Sequence, residues 1–131
     1  MSDKRLLIID GDTATRERLR RRFTHMGWSI SLAGTVAEAK ARLDPPPHCI
    51  LLELMLSDGP GEAVLRQVFE ENLSTRVLLC TGVSDHVRLA RAARLGPETV
   101  FGKPIDMEEV VRACEATEAI PRCCRRSMSA P

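Results

Sequence analysis

The sequence predicts an α/β fold in which one parallel sheet is covered by helices on both faces. Three observations support this: short apolar runs alternate with amphipathic stretches, the alternation repeats five times, and the links between segments are short. Strands buried on both faces are almost continuously apolar, and most of these runs have that character. With 131 residues, the chain has the size of one domain.

Five segments are predicted as strands because they are short, rich in apolar residues and bounded by turn residues or polar residues. In chain order these are residues 5–10 (RLLIID), 28–33 (WSISLA), 49–54 (CILLEL), 76–81 (RVLLCT) and 98–103 (ETVFGK). The second run alternates apolar and polar residues, which predicts a half-exposed strand. The first run is predicted as a buried strand.

Five amphipathic segments are predicted as helices because apolar residues recur at helical spacing or a capping residue precedes them. In chain order they are residues 14–27, 35–43, 61–72, 84–96 and 106–117. Thr13 is the expected N-cap of the first helix and Thr35 that of the second. Three prolines at 45–47 prevent the second helix from continuing. Residues 1–118 are therefore predicted as the folded domain and 119–131 as a tail or linker.

Composition narrows the functional classes. The formal net charge of +1 gives no expectation of nucleic-acid binding by this domain. No apolar run approaches the roughly 20 residues of a membrane span, and the N-terminus has no signal-peptide pattern. The five cysteines are odd in number and scattered, and Cys49 and Cys80 are expected in the core. This cysteine usage predicts a reducing, cytoplasmic location.

Functional side chains are expected where the strands end, because ligands of parallel α/β sheets bind beyond the carboxyl ends of the strands. The residues there are Asp10, Asp12, Glu53, Thr81, Gly82, Lys103 and Pro104. An acidic group, a lysine and a threonine together indicate phosphoryl chemistry with a hard cation such as Mg²⁺. Lys103 is predicted to contact the Glu53 carboxylate.

In these residues the chain resembles the receiver domains of bacterial two-component response regulators, over residues 4 to about 117. The resemblance rests on four motifs in order: Asp10-Gly11-Asp12, the run from Glu53 to Gly61, Thr81-Gly82 and Lys103-Pro104. It implies a doubly wound (βα)5 flavodoxin-like three-layer sandwich with strand order 2-1-3-4-5. It also implies a signalling module rather than an enzyme, with a sensor histidine kinase or a downstream effector as partner.

The resemblance also implies roles for individual residues. Glu53 corresponds to the aspartate that accepts the phosphoryl group, and Thr81, Gly82 and Lys103 to the residues around the phosphoryl oxygens. Its Mg²⁺ ligands correspond to the first-strand acids Asp10 and Asp12, to Glu53, and to the backbone carbonyl of Met55. The family's output surface corresponds to residues 84–117, where a homodimer could also form. There Val110, Val111 and Cys114 are expected to face the core, leaving Arg88, Arg91 and Glu115 for partners.

Three departures from the family weaken the same phosphorylation cycle. Glu53 is one methylene longer than aspartate, and a misplacement of about 1 Å costs roughly 100-fold in a transfer reaction. Gly11 stands where the family usually has a metal-binding acid. Val100 stands where it often has a switch aromatic, while Phe101 is expected on the opposite face. We therefore expect a degenerate, phosphorylation-independent receiver, with Mg²⁺ bound weakly or not at all.

Other interpretations stay open at this point. A purely structural ion pair would explain Glu53 and Lys103 without any signalling role. A flavodoxin-like carrier would use the same fold, but it needs a phosphate-binding loop and aromatic walls, and aromatic residues are only 3% of the chain. Glu53 could also be an engineered mimic of a phosphorylated aspartate, although Gly11 and Val100 favour natural divergence.

Overall fold

A computed structural model describes residues 4–116 of the chain, as seven strands and five helices. The strands are β1 (Arg5–Ile9), β2 (Ser29–Ala33), β3 (Cys49–Leu52), β4 (Met55–Leu56), β5 (Gly59–Pro60), β6 (Arg76–Thr81) and β7 (Thr99–Gly102). The helices are α1 (Thr13–His25), α2 (Val36–Ala41), α3 (Glu62–Glu70), α4 (His86–Ala93) and α5 (Met107–Glu115).

Five of the strands form one parallel sheet in the order β2-β1-β3-β6-β7. The remaining two, β4 and β5, pair antiparallel as a short hairpin directly after β3. Since β6 and β7 are the fourth and fifth strands of the sheet, the predicted order 2-1-3-4-5 is confirmed. The hairpin was not predicted, because two-residue strands have no periodicity that a sequence pattern could reveal.

The sheet separates two apolar cores, which makes the fold a three-layer sandwich. On one face α2, α3 and α4 supply Ala39, Val64, Leu65, Val68 and Ala92 to the first core. On the other face α1 and α5 supply Leu19, Phe23, Val110, Val111 and Cys114 to the second core. The predicted core face of α5 is therefore confirmed. Within residues 4–116, no helix combines the length and apolar character that crossing a bilayer requires.

Four of the five helices begin at a side-chain cap. Asp12, and not Thr13 as predicted, is the N-cap of α1, and its carboxylate accepts from the Thr15 amide at 3.1 Å. An ionised carboxylate is a strong acceptor, and it also receives the Thr15 hydroxyl at 2.5 Å. The Thr35 cap of α2 is confirmed, and α4 and α5 begin after Asp85 and Asp106 in the same way.

Three cysteines are core residues. Cys49 and Cys80 are buried as predicted, and Cys114 is buried with its Sγ 3.8 Å from that of Cys49. Burial raises the pKa of the Cys80 thiol to about 12, so it stays protonated and unreactive. The predicted tail over 119–131, with Cys123 and Cys124, lies outside the described residues.

Candidate functional site

The carboxyl edge of the sheet brings the predicted site residues together. β1, β3 and β7 end one or two residues earlier than predicted, so Asp10, Glu53 and Lys103 lie just beyond these strands. β6 ends where predicted, with Thr81 as its last residue. Asp10 and Glu53 are each only 4% exposed, and Thr81 is buried. Buried carboxylates require charged or hydrogen-bonding partners, so their contacts define the site.

Glu53 receives hydrogen bonds on both carboxylate oxygens. Its Oε2 accepts from the Leu54 amide at 2.6 Å, from the Met55 amide at 3.2 Å and from the Thr81 hydroxyl. Its Oε1 accepts from the Gly82 amide at 3.3 Å and lies 3.0 Å from Lys103 Nζ. The predicted contact between Glu53 and Lys103 is therefore confirmed.

Lys103 also binds the second buried carboxylate of the site. Its Nζ lies 2.6 Å from Asp10 Oδ2, closer than its distance to Glu53. The other Asp10 oxygen, Oδ1, accepts from the Asp12 amide at 2.9 Å. The sequence placed Asp10 at this edge but did not predict its pairing with Lys103. One ammonium thus neutralises part of the charge of two carboxylates.

The charge pattern keeps Glu53 ionised. Burial works to raise the pKa of Glu53, but hydrogen bonds from Thr81 and Lys103 outweigh it and hold that pKa below its ordinary value. Burial likewise works to lower the pKa of Lys103, and Asp10 and Glu53 outweigh it and raise that pKa. At neutral pH the Glu53 carboxylate and the Lys103 ammonium therefore form a charged pair.

The carboxylate oxygens that would hold Mg²⁺ are already bonded to protein donors, and one acid of the family's set is missing. Both oxygens of Asp10 and both of Glu53 already accept hydrogen bonds from protein donors, and Gly11 supplies no side-chain oxygen. The Asp12 carboxylate caps α1 through its Oδ2, which accepts from the Thr15 amide and hydroxyl. Across residues 4–116, no group of three or more histidine, cysteine or acidic side chains is placed to share a metal ion.

The loop after Glu53 has little freedom to move. A Cβ on Gly61 would lie 2.3 Å from the Glu53 carbonyl oxygen and 2.8 Å from Leu54 Cα, so only glycine fits there. The Gly61 amide donates to the Leu54 carbonyl at 2.8 Å. Asp58, in the hairpin turn, accepts from the amides of Val36 and Ala37 at 2.7 and 3.1 Å and so joins the loop to α2. The sequence predicted neither constraint.

Several arginine and glutamate side chains make contacts that the sequence did not predict. Arg16 donates to the Asp10 carbonyl at 2.6 Å. Arg88 was expected to face partners, but it is bound to Glu62 and to the Leu54 carbonyl. Glu115 was expected to be available too, but it pairs with Lys4 at 3.0 Å. No sequence signal separates Arg88 or Glu115 from other charged residues on the same helices, because their partners come from distant segments.

The position of the expected switch aromatic is an exposed valine. Val100 is 41% exposed on β7, the edge strand. Its neighbour Phe101 packs against the second core, on the opposite face as predicted. The aromatic readout that the family often uses at position 100 is therefore replaced by a short aliphatic side chain.

The family pattern of the response regulator receiver domain matches residues 6–115. This chain belongs to the response regulator receiver family. The acid tolerance regulatory protein ActR of Rhizobium meliloti (strain 1021) is 36% identical over 113 residues, which are 85% of this chain and 58% of ActR. The photosynthetic apparatus regulatory protein RegA of Rhodobacter capsulatus is 30% identical over 131 residues, which are 98% of this chain and 71% of RegA.

A solved receiver confirms the fold. The CheY-like response regulator receiver domain of Methanospirillum hungatei JF-1 superposes with a TM-score of 0.81 at 21% identity, covering 86% of this chain and 90% of that one. Against ActR, by contrast, this receiver spans just under three-fifths of the relative's length. The family assignment makes the chain a receiver of two-component signalling.

Proposed function

We propose that this receiver signals through the permanent charge of Glu53 and not through transfer of a phosphoryl group. The observation that carries the proposal is the set of donors on the Glu53 carboxylate. Thr81, Gly82 and Lys103, which by family resemblance would contact phosphoryl oxygens, already donate to Glu53 itself. The longer side chain thus delivers its negative charge to the groups that would otherwise read a phosphorylated aspartate.

Two further features support the same function. Gly11 gives no metal ligand, and phosphoryl transfer to carboxylate needs a cation to neutralise the developing charge. The Glu53 oxygens are all engaged, so a nucleophilic attack would first require breaking contacts with Lys103 or Thr81. Both features disfavour phosphorylation and leave the folded receiver itself intact.

The partners of the proposed module are proteins: a sensor kinase that docks without transferring phosphate, or a downstream effector. The relatives are named as regulators of acid tolerance and of the photosynthetic apparatus, which supports an output in regulation. A homodimer through residues 84–117 stays a prediction.

The division between domain and tail at residue 118 also stays a prediction, and the end of the family match at residue 115 is close to it. A flavin carrier is not supported, since Phe23 and Trp28 stack edge to face in the core instead of lining the crevice.

A labelling experiment tests this function directly. The receiver is incubated with a small acyl phosphate and Mg²⁺, and its intact mass is measured. We expect no phosphoryl gain for the natural sequence and one phosphoryl group for the double variant Glu53→Asp with Gly11→Asp. The site has room for the new acid, because a Cβ on Gly11 meets nothing nearer than the Gly34 carbonyl oxygen at 3.7 Å.

The control is Glu53→Asp with Gly11→Ala, which adds the Cβ without the carboxylate. It should label more slowly than the double-aspartate variant, since the metal remains poorly held. Phosphoryl mass on Glu53 of the natural protein would overturn the proposal. A folded double-aspartate variant that does not label would contradict the idea that only the acceptor and the metal ligand are missing.

A further inference from the structure

One planar peptide unit connects the charged site to α4. The peptide between Leu54 and Met55 has its N–H directed at Glu53 Oε2, at 3.2 Å, and its C=O directed at Arg88 Nη2, at 2.7 Å. A peptide unit is rigid and planar, so its two ends cannot be reoriented independently. A change in the position or charge of the carboxylate is therefore transmitted to the guanidinium of Arg88.

Arg88 is held firmly enough to carry such a change into the helix. Its Nε and Nη2 donate to the two oxygens of Glu62 at 2.5 and 2.8 Å, which is a two-pronged arginine–carboxylate pair. Its own amide donates to the Asp85 carboxylate that caps α4. Arg88 therefore joins the first turn of α4, the start of α3 and the peptide after Glu53 at a single side chain.

The segment beside Glu53 cannot absorb a displacement locally. Leu54 is fully buried, and Gly61 packs against the backbone of residues 53 and 54 without space for a side chain. Interiors packed this closely transmit small displacements because they hold no free volume. The Leu54 carbonyl accepts from the Gly61 amide at 2.8 Å and from Arg88 at 2.7 Å, and of these two donors only the Arg88 side chain has rotamer freedom.

We propose that Arg88 is a positioning residue that couples the state of residue 53 to the orientation of α4. The proposal rests on the proposed function, since it describes how a permanent charge at Glu53 reaches the protein surface. The proposal assigns the task of sensing residue 53 to the ion pair between Glu62 of α3 and Arg88 of α4. This pair would take the place of the aromatic side chain that position 100 lacks. Val87 lies between Asp85 and Arg88 in the first turn of α4 and is 61% exposed, so a change in the orientation of α4 would alter the surface that Val87 offers to partners.

A second route to α4 must be distinguished from this one. The Thr81 hydroxyl donates to Glu53 and accepts from the Val83 amide at 3.1 Å, so the loop after β6 also connects the site with α4. That route bypasses Arg88. The two are separable because removing the guanidinium breaks only the connection through Leu54 and Glu62.

The test is a double-mutant comparison read by amide chemical shifts in two-dimensional ¹H–¹⁵N NMR spectra. Glu53→Gln is introduced into the natural sequence and into the Arg88→Met background, and the shift changes of the amides of residues 86–93 are compared. We expect Glu53→Gln to shift these amides in the natural sequence. In the Arg88→Met background we expect those changes to fall to about half or less.

The chain offers a matched control pair at the other end of the sheet. Arg76 binds Glu98 with the same two-pronged geometry, at 2.8 and 2.6 Å, and also donates to backbone carbonyls. In the Glu98→Gln background, Glu53→Gln should shift the α4 amides as much as in the natural sequence. If Arg88→Met fails to fold, Arg88→Lys replaces it: the charge is kept, the two-pronged geometry is lost, and an intermediate reduction is expected.

Equal α4 shifts with and without the Arg88 guanidinium would overturn the proposal and assign the coupling to the Thr81 route. An absence of α4 shifts in the natural sequence would overturn it as well. Neither result touches the labelling experiment, which tests the phosphorylation-independent function by mass. Labelling of Glu53, conversely, would overturn that function while leaving the measured coupling intact.

Discussion

The two ends of the sheet both hold charged side chains that are largely removed from water, but they arrange them differently. At the amino end Arg76 is paired with one carboxylate, Glu98, and donates to the carbonyls of Ala113, Cys114 and Ala116 at the end of α5. At the carboxyl end Lys103 is shared by Asp10 and Glu53, so two negative charges face one positive charge.

This difference suggests two roles: the Arg76–Glu98 pair holds the fold together, whereas the cluster of Lys103, Asp10 and Glu53 can respond to a change in charge. The amino-end arginine has one carboxylate partner, Glu98, and fixes α5 to the sheet through its bonds to the helix carbonyls. The carboxyl-end lysine has an excess of negative charge beside it and the Thr81 hydroxyl and Gly82 amide within reach of the same carboxylate. Changes in charge should therefore cost more stability at the amino end, whereas at the carboxyl end a smaller loss of stability should be accompanied by a change in conformation.

The largest expected effect is at the amino end. Replacing Arg76 by alanine leaves Glu98 without its cation and removes one donor from each of three carbonyls. The side chains of the pair are only 16% and 12% exposed. Removing one partner of a buried pair costs about 3–5 kcal/mol, so the free energy of unfolding should fall by that amount. Urea unfolding followed by circular dichroism measures it. A loss below about 1 kcal/mol would show that solvent already screens this pair.

A smaller effect, dependent on pH, is expected at the carboxyl end. Lys103→Met leaves Asp10 and Glu53 buried without their shared cation. The pKa of Glu53 should rise, because Lys103 helps to hold it below its ordinary value. The free energy of unfolding should fall by about 2 kcal/mol at pH 7, and by less at pH 5, where one carboxyl can take up a proton. Urea unfolding at both pH values measures this. The loss of unfolding free energy caused by Arg76→Ala should change less between pH 7 and pH 5. If the loss caused by Lys103→Met were equally independent of pH, the comparison between the two ends would be contradicted.

The smallest effect is expected for Glu53→Gln, which keeps the shape and removes the charge. Because the folded-state pKa of Glu53 lies below its ordinary value of 4.5, its stabilising contribution is present above about pH 4.5 and is lost as the pH falls through the folded-state pKa. The variant should be about 1 kcal/mol less stable at pH 7, and the difference should shrink toward pH 3. Parallel urea titrations from pH 3 to 7 measure it. A variant more stable than the natural protein at pH 7 would mean that burial outweighs the hydrogen bonds at Glu53.

Much of this receiver follows from the sequence alone. The alternation of apolar runs and amphipathic segments predicted the parallel sheet, and the family resemblance implied its strand order. The core face of α5, with Val110, Val111 and Cys114, was predicted as well. The contact of Glu53 with Lys103 was predictable too, because the carboxyl ends of neighbouring parallel strands meet at one edge. These features depend on short-range patterns and on the geometry of a sheet.

The tertiary structure alone decided which polar side chains meet. Arg88 and Arg91 lie on the same short helix, yet only Arg88 has a carboxylate and a buried carbonyl brought within reach by α3 and by the turn after β3. Asp12 instead of Thr13 caps α1, and Asp58 caps a helix more than twenty residues before it. The reason is physical: long polar side chains have many rotamers of similar energy, and the partner that selects among them arrives only when distant segments pack.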